Sequence, residues 1–403
     1  MATKLGGSRR GEPTRPAHEG RLERVTERPV MRLRDLADEL ERRRASSKDI
    51  VVDSANMQLV PAAGGQGVDS VQMAVEMPGA DAEFFGVQPW AHAQLAAKTS
   101  IPKPYYDRML NENRGELLAA NVNAWLPDKE RRMLRVQDGR VRAVVSDKFN
   151  VRLDNYGLAY AAMEVFDEFQ VQGQRISVTA AELSDQHMYM KAIRDDLSYT
   201  VGTVMRRSQL IDDTVFMGVT LGNSEVGDGA FFVSPYMWRV VCQNGAINET
   251  TLRRVHIGER LEVGIFTEET LKLSDELLWR KVQDTLHAGF NEDVFAQWVD
   301  AVRAGREVVI ERPTEVIENM ATTFKITEDR KALLLDAFTE EAAMGNNTLW
   351  GLSNAVTRLA HLEGTAEGAV DLERLGAKIG VLAGTDELEE LLTIPATPAR
   401  RRK

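Results

Sequence analysis

The sequence predicts an α+β fold, with a mixed or antiparallel sheet and flanking helices followed by a helical C-terminal unit. Three observations carry this expectation. The chain has 403 residues, of which 43% are apolar, enough to fill more than one core. Its first two-thirds interleave short apolar runs with helical stretches, and the clearest local signal is a hairpin, 132–137 and 140–145 around Asp138-Gly139. From about Thr267 the apolar period becomes helical and stays so.

Taken in order, residues 1–28 are rich in Gly, Pro, Arg and Glu and poor in apolar side chains, so a disordered basic arm is expected. Met31, Leu33, Leu36 and Leu40 share one face of a helix over 31–44. Short strands are expected at 51–60 and 71–75, separated by a Gly-rich turn at 62–67. Residues 88–124 read as helical, opening at Pro89 and again after Ile101-Pro102, where Pro suits a first turn. After the hairpin come a helix at 158–169, strands at 177–181 and 188–193, and a strand pair at 215–221 and 230–233 across 223–229. Helices follow at 271–286, 294–302, 315–324, 329–341, 349–362 and 372–382, with Thr314, Thr327 and Thr348 as caps. The expected division is a basic arm at 1–28, an α+β domain at 29–266, a helical domain at 267–390 and a basic disordered tail at 391–403.

Charge is distributed unevenly. The chain carries −11, yet residues 1–48 hold a surplus of +5 and 400–403 hold +4, which leaves −20 on residues 49–396. A body that acidic repels a polyanion at long range, so contact with DNA would need a local patch or the tails. The single cysteine, Cys242, excludes an internal disulfide, and its place beside Val240 and Val241 predicts an apolar core thiol. No stretch of about 18 apolar residues predicts a membrane span, and no signal-peptide pattern stands at the N-terminus, so the cytoplasm is the expected compartment.

Signatures of catalysis are missing. The sequence contains neither a phosphate-cradling G-x-x-x-x-G-K-[ST] loop nor a G-x-S-x-G elbow, and its six histidines show no metal-binding spacing. No cofactor is expected. Acidic pairs occur at Asp195-Asp196, Asp212-Asp213 and Glu225 with Asp228, and two carboxylates at one point could hold magnesium for phosphodiester chemistry. Neighbours in a strand point to opposite faces, however, and Asp clusters are commonest in turns.

The hairpin supplies the candidate site. Alternation places Leu134 and Val136 on the core side of its first strand and Arg131, Met133, Arg135 and Gln137 on the other. In the second strand Val141, Ala143 and Val145 face the core while Arg140 and Arg142 face out. With Arg132, Lys148 and Arg152 these form a basic surface, the candidate nucleic-acid-binding set, in which arginine forks could clamp phosphates. A solvated sheet face is the plainer reading of the same pattern. Stacking partners are few, only Trp125, Phe149 and Tyr156, so single-strand binding by base stacking is not strongly signalled.

Four segments, in order along the chain, carry a resemblance. They are Leu134-Arg135 through Ser146-Asp147-Lys148-Phe149-Asn150 with Asp154-Asn155; Asn223-Ser224-Glu225-Val226-Gly227; Arg239-Val240-Val241-Cys242-Gln243-Asn244-Gly245; and Asn347-Thr348-Leu349-Trp350-Gly351-Leu352-Ser353-Asn354-Ala355-Val356-Thr357. Together they resemble the phage- and plasmid-related prokaryotic family catalogued as domain of unknown function 932. The resemblance implies a gene carried by phages or plasmids and brings no catalytic residues. Physically, 223–229 and Asn244-Gly245 suit turns, 347–357 a capped helix start, and Asn244 and Asn354 buried amides that satisfy backbone groups.

Three functions fit these readings. The first is a non-enzymatic phage or plasmid accessory protein that assists DNA replication, recombination or annealing through the basic hairpin and tails. The second is a host-interaction protein whose acidic body meets a bacterial defence or regulatory factor. The third and weakest is a metal-dependent nuclease. Amphipathic helices would also permit self-association.

Overall fold

In the computed structural model, the described residues are 31–77, 79–127, 130–149, 153–242, 244–247, 252–254 and 267–393. The expected basic arm lies outside them, as do Arg152 and residues 394–403 of the expected tail. The architecture is α+β, built on two six-stranded sheets.

The first sheet has the order β1-β5-β6-β4-β3-β2, from β1 (Ser47–Asp53), β2 (Met57–Pro61), β3 (Val71–Val75), β4 (Glu83–Val87), β5 (Arg131–Gln137) and β6 (Arg140–Ser146). It is mixed, because β4 runs parallel to β6 and its other pairings are antiparallel. Helices α2 (Pro89–Lys98), α3 (Lys103–Asn111) and α4 (Gly115–Trp125) supply Leu95, Tyr106 and Leu118 to a core with Leu59, Met73, Leu134 and Val144. Edge strand β2 is closed by Asn123 of α4, whose amide accepts from Leu59 N and donates to Leu59 O, both at 2.8 Å. A side chain thus stands in for the missing strand partner.

The second sheet is antiparallel, in the order β11-β10-β9-β8-β7, with β12 (Leu252–Arg254) also paired to β10. Its strands are β7 (Ile176–Leu183), β8 (Met188–Arg206), β9 (Gln209–Asn223), β10 (Phe231–Arg239) and β11 (Asn244–Ile247). The β8–β9 ribbon, 19 and 15 residues, is far longer than the sequence pattern suggests. Register shifts between Ile193 and Ser198 and between Thr200 and Gly202 interrupt the alternation that would have revealed it. Asp195-Asp196 and Asp212-Asp213 therefore lie in strands, not in turns.

Both faces of this sheet are covered. Helices α1 (Leu33–Ser46), α5 (Asn155–Val171) and α6 (Glu268–Gly289) contribute Leu36, Leu40, Phe166, Val282 and Leu286 on one side. Further along the same face, Phe295, Trp298 and Val302 of α7 (Glu292–Glu307) pack on Val215, Met217 and Met237, while on the other face Val370 meets Tyr189, Phe232 and Tyr236. Helices α8 (Pro313–Thr323), α9 (Glu328–Ala343), α10 (Leu349–Leu359), α11 (Ala366–Gly380) and α12 (Asp386–Leu392) enclose a core of their own around Met320, Phe338 and Leu352. Packing therefore crosses the expected boundary at 266/267. Leu391 is buried in α12, where a tail was expected to start.

Two cap expectations differ in detail. Thr348 accepts from Gly351 N as predicted, but Thr314 lies inside α8, whose N-cap is Arg312. Thr327 is the N-cap of α9 but makes no side-chain capping bond.

Candidate functional site

The Asp138-Gly139 hairpin forms as expected, with φ of 51° and 71° at the two turn residues, the left-handed pair a tight hairpin needs. Its two faces do not sort as expected. The register shifts after Arg135, so that Arg135 opposes Ala143 and Val136 opposes Val141, which leaves Arg142 as a bulged extra residue. Beyond the bulge the alternation reverses. Val141 and Val144 join the helix-covered core, whereas Ala143 and Val145 meet Met133, Val226 and Trp90 on the opposite face.

That opposite face is covered by the 223–229 loop, which reaches across from the second sheet. Val226 is buried there, and its carbonyl accepts from Trp90 Nε1 at 3.0 Å and Gln94 Nε2 at 2.8 Å. Arg135 is buried as well, bonded to Asp49 at 2.9 Å and to the Glu225 carbonyl at 2.8 Å. Arg142 is buried against the Glu225 carboxylate at 3.0 Å and the Asp185 carbonyl at 3.2 Å. Burial lowers its affinity for a proton, and Glu225 opposes that effect. Glu225 also accepts from Asn155 N at 2.8 Å.

Of the predicted set, then, Arg135 and Arg142 do not face solvent. Arg132 is buried too, beside Glu130 at 2.6 Å. Arg140 is partly exposed and pairs with Asp69 at 2.7 Å. Arg131, with a side chain 52% exposed near Asp53, and Lys148 remain at the surface. The expected basic ribbon is replaced by an internal contact between the two sheets.

A second internal contact joins the second sheet to the C-terminal helices. Arg239 of β10 donates to Asp213 of β9 at 2.6 and 3.0 Å and to Glu341 of α9 at 2.8 and 3.0 Å. Arg306 and the Trp350 indole bond the same Asp213 at 2.9 and 3.1 Å, and Asn346 donates to Glu341 at 2.6 Å. Two arginines thus balance two buried carboxylates. Burial opposes the Arg239 charge, but Glu341 and Asp213 hold its proton more tightly than usual.

Cys242 is half-buried beside this cluster and not in an apolar site. Its thiol donates to Glu341 at 3.3 Å, and burial, with Glu341 adding to it, pushes the thiol up to about 12. Asn244 and Asn354 behave as predicted. Asn244 donates to the Asn354 carbonyl at 3.1 Å and to Thr357 at 2.6 Å, and Asn354 donates to the Trp350 carbonyl at 2.7 Å.

Among the described residues, three open surface features stand out. A groove of about 830 Å3 runs between α5 and α6, lined by Glu164, Asp167, Glu168 and Glu276, with Trp279 and Val171 as its apolar groups and Arg280 as its cation. Val171 is 88% exposed, and Leu273 and Leu277 of α6 are exposed nearby in sequence. A smaller depression of about 580 Å3 between α8 and α12 is lined by threonines, Asn319, Asp386, Glu389 and Glu390. Finally, the β8–β9 ribbon ends in a tight turn at Arg207 and Ser208, with Arg206, Arg207 and Leu210 exposed. Neither arginine has an ion-pair partner among the described residues. The turn carries neither Gly nor Asn, so no local sequence signal marks it.

The acidic pairs do not converge. Asp212 is exposed while Asp213 is buried, and Glu225 and Asp228 serve different partners, Arg142 and His187. Metal-ligating atoms do meet in one place among the described residues, at His187, Asp228 and Glu367.

Compared with protein-family models, curated proteins and solved structures, the chain matches none.

Proposed function

We propose that this chain is a non-enzymatic, phage- or plasmid-encoded accessory protein that binds a host protein, receiving a basic and partly apolar segment in the groove between α5 and α6. The observation that carries this reading is the groove itself. Four carboxylates and one arginine line it, beside an aromatic ring and an almost fully exposed valine. Carboxylates along a groove steer a basic segment toward it, and the apolar groups reward one with an apolar stripe. The −20 charge of residues 49–396 acts in the same direction. The large buried charges support a scaffold, because Arg239, Arg142 and Lys191 each meet a carboxylate. The phage or plasmid origin rests on the resemblance of the four segments.

A fluorescent Lys/Leu amphipathic peptide, followed by anisotropy, tests the groove. Wild type should bind it, more tightly as salt falls, and Glu164→Lys with Glu276→Lys should remove most of the binding. Equal binding by the double variant would place the contact elsewhere.

A role in DNA replication or recombination is the second reading, and the exposed Arg206-Arg207 tip favours it more than the hairpin does. Gel shifts across a salt series, with Arg206→Glu and Arg207→Glu, test it. Retention of a salt-sensitive shift by that variant would remove the tip from consideration.

A further inference from the structure

We propose that His187, Asp228 and Glu367 form a binding site for one divalent transition cation of the zinc type, which fastens the loop between β9 and β10 to the N-terminus of α11. One ligand atom from each of the three lies within 4.8 Å of the other two. They come from three separate parts of the chain: the turn entering β8, the 223–229 loop and the first turn of α11.

Two of the three are already held in place. His187 is buried, its ring stacks on Tyr189 at 5.6 Å and 22°, and its backbone N–H donates to Ser184 Oγ at 2.9 Å. Asp228 N donates to Ser224 Oγ at 3.0 Å, which fixes the loop around it. The imidazole Nε2 lies 2.9 Å from the Asp228 carbonyl oxygen and 3.8 Å from its carboxylate. Glu367 is exposed, so its longer side chain can move in to close the shell.

Charge points to a cation. Neither Asp228 nor Glu367 pairs with a lysine or arginine among the described residues. A divalent ion at this point would balance both carboxylates. One imidazole with two carboxylates suits zinc or manganese, whereas magnesium and calcium favour oxygen alone. Three protein ligands leave further positions to water or to the Asp228 carbonyl. On loading, the Nε2 lone pair goes to the ion, and the proton now donated to that carbonyl moves to Nδ1 or to solvent.

The experiment uses the full chain stripped with chelator, titrated calorimetrically with Zn2+ and followed by thermal unfolding. Wild type should take up one ion per chain and melt at a higher temperature, with Mg2+ failing to substitute. Glu367→Gln should leave the melting temperature of the stripped protein unchanged, weaken Zn2+ at least about tenfold and abolish the shift. Asp228→Asn provides an independent check with the same expected loss. Absence of Zn2+ uptake by wild type overturns the proposal, as does uptake by the Glu367→Gln/Asp228→Asn double variant equal to wild type.

Discussion

Arg239 and Asp213 form a two-pronged ion pair, 2.6 and 3.0 Å long, with only 1% of the arginine side chain and none of the aspartate exposed to solvent. Glu341 approaches the same guanidinium from α9, so a strand and a helix far apart in sequence share one charge. Removing one member of such a group strands the others in a medium of low polarity. Arg239→Met should therefore cost about 3–5 kcal/mol in urea unfolding. Arg303→Met, which breaks an exposed pair with Asp300, should cost under about 1 kcal/mol. Similar losses for the two would mean the buried cluster is not a structural lock.

The hairpin arginines separate by burial. Arg135→Glu with Arg142→Glu should unfold the contact between the sheets, because each new carboxylate would face Asp49 or Glu225. Arg131→Glu with Lys148→Glu should leave stability within about 0.5 kcal/mol, since both side chains are at the surface. Thermal melts by circular dichroism check both. A pair at 135 and 142 that melts like wild type would restore the outward-facing ribbon.

Cys242 should resist alkylation. Its thiol is pushed up to about 12, so little thiolate exists at pH 8. Cys242→Ser keeps a donor for Glu341 and should cost less than about 1 kcal/mol. Iodoacetamide labelling of the native protein at the rate of a free thiol would contradict this placement.

His92 predicts part of the acid sensitivity. It is buried, with Nδ1 2.8 Å from the Tyr106 hydroxyl and Nε2 3.1 Å from the Val68 carbonyl, and burial lowers it from 6.5 to about 4. The unfolded chain therefore binds a proton that the folded chain refuses. Stability from this group is complete above pH 6.5 and falls as pH drops toward 4, by roughly 3 kcal/mol in total. Urea midpoints across that range should fall less steeply for His92→Gln. Identical pH profiles would show that His92 is not held neutral.

How much of this was legible in the sequence depended on whether the cause was local. Asp138-Gly139 sets its own turn, so the hairpin and its ends could be read directly. The bulge at Arg142 could not, because a one-residue slip leaves no local signature and reverses every later side chain. The burial of Arg135 depended on Val226 and Glu225, some 90 residues away, which bring a second covering layer to a sheet expected to have one. In the ribbon, Asp195-Asp196 and Asp212-Asp213 read as turns until the charges answering them were seen: Arg194 for Asp196 and Arg239 for Asp213. The amides of Asn244 and Asn354 could be anticipated, since a buried amide needs backbone partners wherever they come from. The acidic groove pairs helices separated by about a hundred residues and has no signature in either alone.

Hydrogen exchange of the full chain with the amphipathic Lys/Leu peptide locates the contact without presupposing a residue. Added protection is expected over 160–172 and 273–287, on the two walls of the groove, and none over 131–146. Protection confined to 131–146, with the helices unchanged, would contradict binding in the groove.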